Sequence, residues 1–318
     1  MKERQVRWLL SGFILVAVCP LQAQATDYDL YYLGGQSNMD GYGHVEDLPM
    51  ELRGPVAGVM IFHGNTSPDG TPADGHGAWA ALRPGHGVGY TSDGETATYS
   101  DRFGVELTFA RTLLEREPDA KIAIIKYSRG GSSIDRAAAG EYGCWDPDFP
   151  DTGRGVNQYD HFLATLRNAL SVDDIDGDGQ RDTLVPKGIV WMQGESDASH
   201  SEKIALRYEE NLGRLMDLIR AALREPDLPV VIGRISDSGM DEDEQDGRVW
   251  DHGDIVRDAQ ASFAADDGCA ALVTSTDGYG YSDPWHYDSA GYLDLGGRFA
   301  EAILGLARSC SYDNPAER

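Results

Sequence analysis

Basic residues are scarce in this chain. Across 318 residues, 27 lysines and arginines face 53 aspartates and glutamates, a formal net charge of −26. A surface of that sign repels nucleic acid and anionic lipid, which excludes general binders of either. It also disfavours a highly anionic substrate unless arginines line the cleft. Long apolar runs are missing beyond the N-terminus, so no later segment reads as a transmembrane helix. Linkers long enough to divide the chain and internal repeats are absent too. Cysteine is rare, at four residues.

The N-terminus has its own pattern. Lys2, Arg4 and Arg7 form a positive patch, Trp8 to Val18 is an apolar stretch too short to span a bilayer, and Ala23-Gln24-Ala25 is an A-x-A cleavage signature. Residues 1–25 therefore read as a signal peptide cut after Ala25, with residues 26–318 as one mature domain that is secreted or periplasmic and has no stable membrane insertion. A lipidated Cys19 is the weaker reading, because Val18 is too large for the position before it. Export permits disulfides. Cys269 starts an expected strand and Cys310 ends the helix after it, so a helix packed antiparallel on its strand brings the two together and leaves Cys144 free.

Strand-like and helical runs alternate along the mature chain. Short apolar runs at Asp29–Leu33, Gly58–Phe62, Lys121–Tyr127, Lys187–Met192, Leu228–Gly233 and Ala270–Thr274 read as strands. Runs with 3.6-residue spacing at Phe103–Arg116, Val156–Leu170, Glu202–Leu223, Asp254–Ala265 and Ser289–Ala307 read as helices. Gly64–Ser100, rich in Gly, Pro, Asp and Thr, reads as a long loop over the active edge. This alternation predicts an α/β fold, a single three-layer α/β/α domain around a parallel sheet with right-handed crossovers.

The first strand runs into Gly34-Gly35-Gln36-Ser37-Asn38-Met39, which sets a serine at the carboxyl edge of the sheet, where open α/β sheets bind ligands. Serine also caps helices. Far downstream, Asp283-Pro284-Trp285-His286 offers a base and its orienting carboxylate on one loop, the two groups a serine nucleophile needs. Asp288 is the rival orienter, although its place before Ser289 suits a helix cap.

Gly35-Gln36-Ser37-Asn38-Met39 resembles the nucleophile block of the SGNH hydrolases, in the form found in sialate O-acetylesterase-like carbohydrate esterases, family six. Gly130-Gly131-Ser132 and Gln193-Gly194-Glu195-Ser196-Asp197 are similar to two further blocks of that family, in the same order. The resemblance implies a flavodoxin-like sheet and a triad of Ser37, His286 and Asp283. It implies an oxyanion hole from the Ser37 N–H, an N–H of Gly130 or Gly131, and the Gln193 side chain. Glu195 and Asp197 read as structural supports that hold the oxyanion loop or accept an arginine such as Arg129, since two carboxylates so close in sequence fit poorly as a glycosidase pair. Glu106 in Gly104-Val105-Glu106-Leu107 resembles a family Gly-Pro-Glu-Leu block without its proline. Trp79, Trp145 and Trp285 are open to either sugar stacking or packing.

Asp174-Ile175-Asp176-Gly177-Asp178-Gly179-Gln180-Arg181-Asp182 fits D-x-D-x-D-G-x-x-D. Asp174, Asp176, Asp178, the Gln180 carbonyl and Asp182 are an oxygen set suited to structural Ca²⁺, and Val185 stands where an EF-hand needs its glutamate. The alternative is an acidic surface turn. Catalysis by serine and histidine requires no cofactor.

The expected activity is removal of O-acetyl groups from carbohydrate, acetylated xylan or a related polysaccharide ahead of O-acetyl sialic acid. A lipolytic or aryl esterase of the same fold is the first alternative, disfavoured by the polar 64–100 segment. A calcium-stabilised carbohydrate-binding module is the second, disfavoured by the intact serine, aspartate and histidine.

Overall fold

A computed structural model describes residues 25–65, 74–150, 155–241 and 246–310. The expected signal peptide lies outside them apart from Ala25.

The strands of the main sheet are β1 Asp27–Gly35, β2 Val59–His63, β3 Trp79–Ala81, β4 Ile122–Ser128, β5 Thr183–Met192, β6 Val230–Gly233 and β7 Ala270–Val273; Gly43–His44 pairs with Arg102–Phe103 and Thr91–Ser92 with Ala97–Thr98 in two small antiparallel ribbons. The main helices are α1 Glu106–Arg116, α2 Gln158–Leu170, α3 Tyr208–Leu223, α4 Gly253–Asp266 and α5 Ser289–Cys310. The seven strands of the main sheet are ordered β7-β6-β5-β1-β4-β2-β3. Setting β2 and β3 aside, the order is flavodoxin-like, 2-1-3-4-5 in chain sequence.

Strand β4 shows why the centre of the sheet is parallel. All seven of its residues are buried, as a strand covered by helices on both faces requires. Neighbouring residues of β1 identify the two helical layers. Tyr31 meets Phe109 of α1, with ring centroids 5.2 Å apart, and Tyr32 meets Phe162 of α2 at 4.7 Å. Successive strand side chains point to opposite faces, so α1 and α2 cover opposite sides.

The structure departs from the sequence reading at three places. The 64–100 segment is not an open loop. It contributes β3, which pairs antiparallel with β2, buries Leu82, His86 and Tyr90, and donates from Val88 N to Gly41 O at 2.9 Å; residues 66–73 lie outside the description. Strand β5 begins at Thr183, upstream of Pro186. Its pairing with β1 shifts register between Leu30 and Tyr31, so that Leu30 faces Pro186 and Tyr31 faces Gly188. A bulge accommodates a proline that cannot donate to the ladder. The helix expected over Glu202–Leu223 is split into Glu202–Ala205 and α3.

Cys269 and Cys310 lie at disulfide-bonding distance, with Cα atoms 5.7 Å apart, and Cys144 is free and buried. Burial pushes the Cys144 thiol up to about 12, so it is unreactive at neutral pH.

Candidate active site

Three of the four sequence blocks converge because their strands end level. Gly35 of β1 pairs with Ser128 of β4 on one side and Met192 of β5 on the other. The chain therefore delivers Ser37, Gly130 and Gln193 to one edge of the sheet. β1 lies between strands reached by crossovers in opposite directions, the switch point where such sheets form clefts. Gly35 has φ +144°, and a Cβ there would lie 2.0 Å from the Met192 carbonyl. Only glycine fits that close approach.

Ser37 opens a single helical turn, Ser37–Asp40, and is 7% exposed. Gln36 holds the N-cap position, so the Ser37 hydroxyl is not used as a cap. Among the described residues that hydroxyl has no hydrogen bond to His286; such contacts commonly tighten only around substrate.

Asp283 organises the loop that carries His286. It accepts from His286 Nδ1 at 2.7 Å through Oδ2, and from Trp285 N at 2.8 Å and His286 N at 2.9 Å through Oδ1. An ionised carboxylate only accepts, so Nδ1 carries the proton and Nε2 is left as the basic nitrogen. Burial pushes the Asp283 carboxyl up, but the His286 and Trp285 contacts outweigh it and hold the group below the usual value. Burial lowers the pKa of His286; Asp283 opposes that shift and Arg102 adds to it. The imidazole also stacks on Tyr42, with centroids 3.5 Å apart and planes within 6°. Asp288 instead accepts from Gly291 N at 2.8 Å and caps α5.

The expected oxyanion donors are placed unequally. Gly130 N donates to Asp40 Oδ2 at 2.8 Å. A Cβ on Gly130 would lie 3.3 Å from Ser37 Cβ, and one on Gly131, where φ is +74°, would strike the Tyr142 ring. The Gln193 amide is fully buried and donates to Ser132 O at 3.2 Å and Asp197 Oδ2 at 2.7 Å. Both its N–H bonds are engaged there, which ties the side chain to the loop after β4.

Asp197 accepts from Ile134 N at 3.0 Å and Asp135 N at 2.9 Å as well, so it holds the loop after β4, and these partners are amides instead of Arg129. Burial pushes it up to about 6. Glu195, also buried and pushed up to about 7, accepts from Asn38 Nδ2 at 2.8 Å. Neither carboxylate reaches the surface, which removes the glycosidase reading. Glu106 lies behind the Ser37–Asp40 turn in a wholly buried pair with Lys126 Nζ at 2.8 Å.

Asn38 and Lys126 were not singled out from the sequence. Asn38 lies inside a quoted block, and a lysine within the apolar run of β4 is a visible anomaly, since buried lysines need partners. Of the three tryptophans, Trp145 is fully buried and donates to Ser132 Oγ, while Trp79 donates to Ala169 O. Both are packing residues. Trp285 is 41% exposed beside His286.

Away from the site, carboxylate oxygens of Asp174, Asp176 and Asp182 gather within 4.8 Å of one another. Asp178 is outside this group and accepts from Gln180 N at 2.7 Å. Tyr28 OH donates to Asp176 Oδ2 at 2.8 Å, tying the loop to β1. Three convergent carboxylates suit a hard cation.

A family model described as carbohydrate esterase, sialic acid-specific acetylesterase, matches residues 27–305. A comparison with curated proteins finds no match. Among solved structures, a protein from Arabidopsis thaliana is similar at 20% identity and TM-score 0.57, covering 89% of this chain and 99% of its own. NanS is similar at 18% identity and TM-score 0.58, covering 90% and 99%. A carbohydrate acetylesterase from Xanthomonas citri is similar at 20% identity and TM-score 0.59; the match covers 88% of this chain and 57% of that longer one. At these identities the structural likenesses establish the α/β fold, and the family match carries the activity: the chain belongs to the sialic acid-specific acetylesterase family of carbohydrate esterases.

Proposed function

We propose that the enzyme is an exported serine esterase that removes acetyl groups from a neutral polysaccharide of the acetylated xylan type. The observation that carries this reading is the Asp283–His286 pair, whose free Nε2 belongs to a loop fastened beside Ser37. Ser37 Oγ attacks the acetyl carbonyl while His286 Nε2 takes its proton. The oxyanion is received by the N–H groups of Ser37 and Gly131; the Gly130 N–H is engaged by Asp40. Collapse breaks the ester bond, and His286 returns the proton to the departing sugar oxygen. Water, deprotonated by the same nitrogen, then releases acetate from the acetyl-serine.

The excess of acid over base in the chain favours a neutral sugar over a sialoside, and the exposed face of Trp285 suits a sugar ring. Export through residues 1–25 belongs to the same reading, as does structural Ca²⁺ held by Asp174, Asp176 and Asp182. That ion would rigidify the turn leading into β5 and takes no part in the reaction.

Acetate release from p-nitrophenyl acetate, acetylated xylan and an O-acetyl sialoside, run beside Ser37→Ala, is the test. Loss of all release in a folded Ser37→Ala protein supports the serine mechanism, and retained release overturns it. A preference for the sialoside over xylan overturns the substrate assignment alone. Xylan binding with no release from any ester favours a binding module.

A further inference from the structure

The two amide side chains flanking Ser37 each straddle a different loop. Gln36 Oε1 accepts from Gly194 N at 3.2 Å and Ser196 N at 3.4 Å, the residues on either side of Glu195. Asn38 does the same to the base loop. Its Nδ2 donates to Trp285 O at 3.1 Å and its Oδ1 accepts from Tyr287 N at 3.3 Å, the residues on either side of His286. Nδ2 also donates to Glu195 Oε1 at 2.8 Å, and Oδ1 also accepts from Tyr292 OH at 2.8 Å. Two donors and two acceptors are the full capacity of a carboxamide, and all are used in a residue only 1% exposed.

We propose that Asn38 is a positioning residue that fastens the base loop to the nucleophile turn, with Glu195 fixing which way its amide points. This rests on the reading of Ser37 and His286 as nucleophile and base. Above about pH 7, where Glu195 is ionised, it accepts only, so it can face only the NH₂ end of the amide. A flipped amide would set oxygen against Glu195 and Trp285 O, and NH₂ against Tyr287 N–H. The carboxylate thus selects the one orientation that grips both sides of His286. Because Ser37 and Asn38 are adjacent in one turn, sliding His286 away from Ser37 breaks bonds that begin one residue from the nucleophile.

The test combines kinetics on p-nitrophenyl acetate with ¹³C NMR titration of the His286 Cε1 signal. Misplacing a reacting group by about 1 Å costs roughly 100-fold. Asn38→Ala is therefore expected to lower kcat about 100-fold with KM changed less than about threefold, and to shift the His286 titration. Asn38→Asp sets a second carboxylate against Glu195 and is expected to match that loss. Adding Glu195→Gln restores a donor–acceptor pair between positions 38 and 195 and is expected to recover about tenfold. A purely structural role would lower thermal stability while leaving kcat of the folded protein, the His286 titration and the rescue unmoved; that result, or wild-type kcat in a folded Asn38→Ala protein, overturns the proposal. Should Asn38→Ala not fold, Glu195→Gln alone decides through the His286 titration, where an unchanged curve overturns it. The Ser37→Ala control separates the two readings: activity surviving there defeats the serine mechanism whatever the Asn38 variants do.

Discussion

Replacing Lys126 with methionine should cost this protein more stability than almost any other single change. The Lys126 ammonium has three donors, and all are used: Glu106 Oε2 at 2.8 Å, His86 O at 2.8 Å and Asp40 O at 2.9 Å. Both partners of the ion pair are 0% exposed. Methionine fills most of the volume but leaves Glu106 charged in the core, where Gly104 N still donates to it at 3.0 Å. Breaking one side of a buried pair costs about 3–5 kcal/mol. At about 2–4 °C of Tm per kcal/mol in a chain of this size, the midpoint should fall on the order of 10 °C. The double variant Lys126→Met, Glu106→Leu removes both charges and should recover at least half of the loss, leaving the carbonyls of Asp40 and His86 unsatisfied. Thermal unfolding followed by circular dichroism measures both. A single variant within about 1 kcal/mol of wild type, or a double variant as unstable as the summed singles, would refute the view that Lys126 locks the nucleophile turn.

Three further outcomes are expected. Because burial lowers the His286 pKa and only neutral imidazole accepts the serine proton, the acid limb of kcat/KM should have its midpoint below the ordinary histidine value of 6.5. Asp283→Asn removes the group that stabilises the imidazolium, so the limb should move to still lower pH while the plateau falls by up to roughly 10⁴-fold; a limb that moves upward contradicts the assignment. Replacing Cys269 and Cys310 with alanine opens a bridge across 41 residues, worth about 4 kcal/mol in chain entropy. It should lower Tm on the order of 10 °C without changing kcat of the folded protein, and an unmoved Tm speaks against the bond. Millimolar Ca²⁺ should raise Tm, by about 2.7 kcal/mol of stability at a hundred times its Kd. Asp174→Asn with Asp182→Asn should erase the response, and a wild-type protein indifferent to Ca²⁺ and to chelator counts against the site.

The central sheet was legible in the sequence because its strands are short apolar runs such as Ile122–Tyr127, bounded by turn residues. The motif positions were legible because glycines mark strand ends; the steric reason for Gly35, its closeness to the Met192 carbonyl, is exposed by the structure. What stayed hidden are relations between distant residues. Edge strand β3 has only three residues, none fully buried, and gives no periodic signal. The two N–H partners of the Gln193 side chain, Ser132 O and Asp197, are such a relation. Asn38 lies in a quoted block, yet its partners are 157 to 254 positions away, and single-sequence patterns carry no information about such pairs.

The link between Cys269 and Cys310 has a consequence for resistance to proteolysis. Asp283 and His286 both lie between the two cysteines, so the base loop belongs to a covalently closed ring. Exposed loop tips are where proteases nick folded chains, and this one presents Trp285 at 41% exposure. A single cut inside the ring yields two pieces that cannot diffuse apart, each still anchored, one through β7 and the other through α5. Such a nicked molecule would run as one species on a non-reducing gel and as two after reduction.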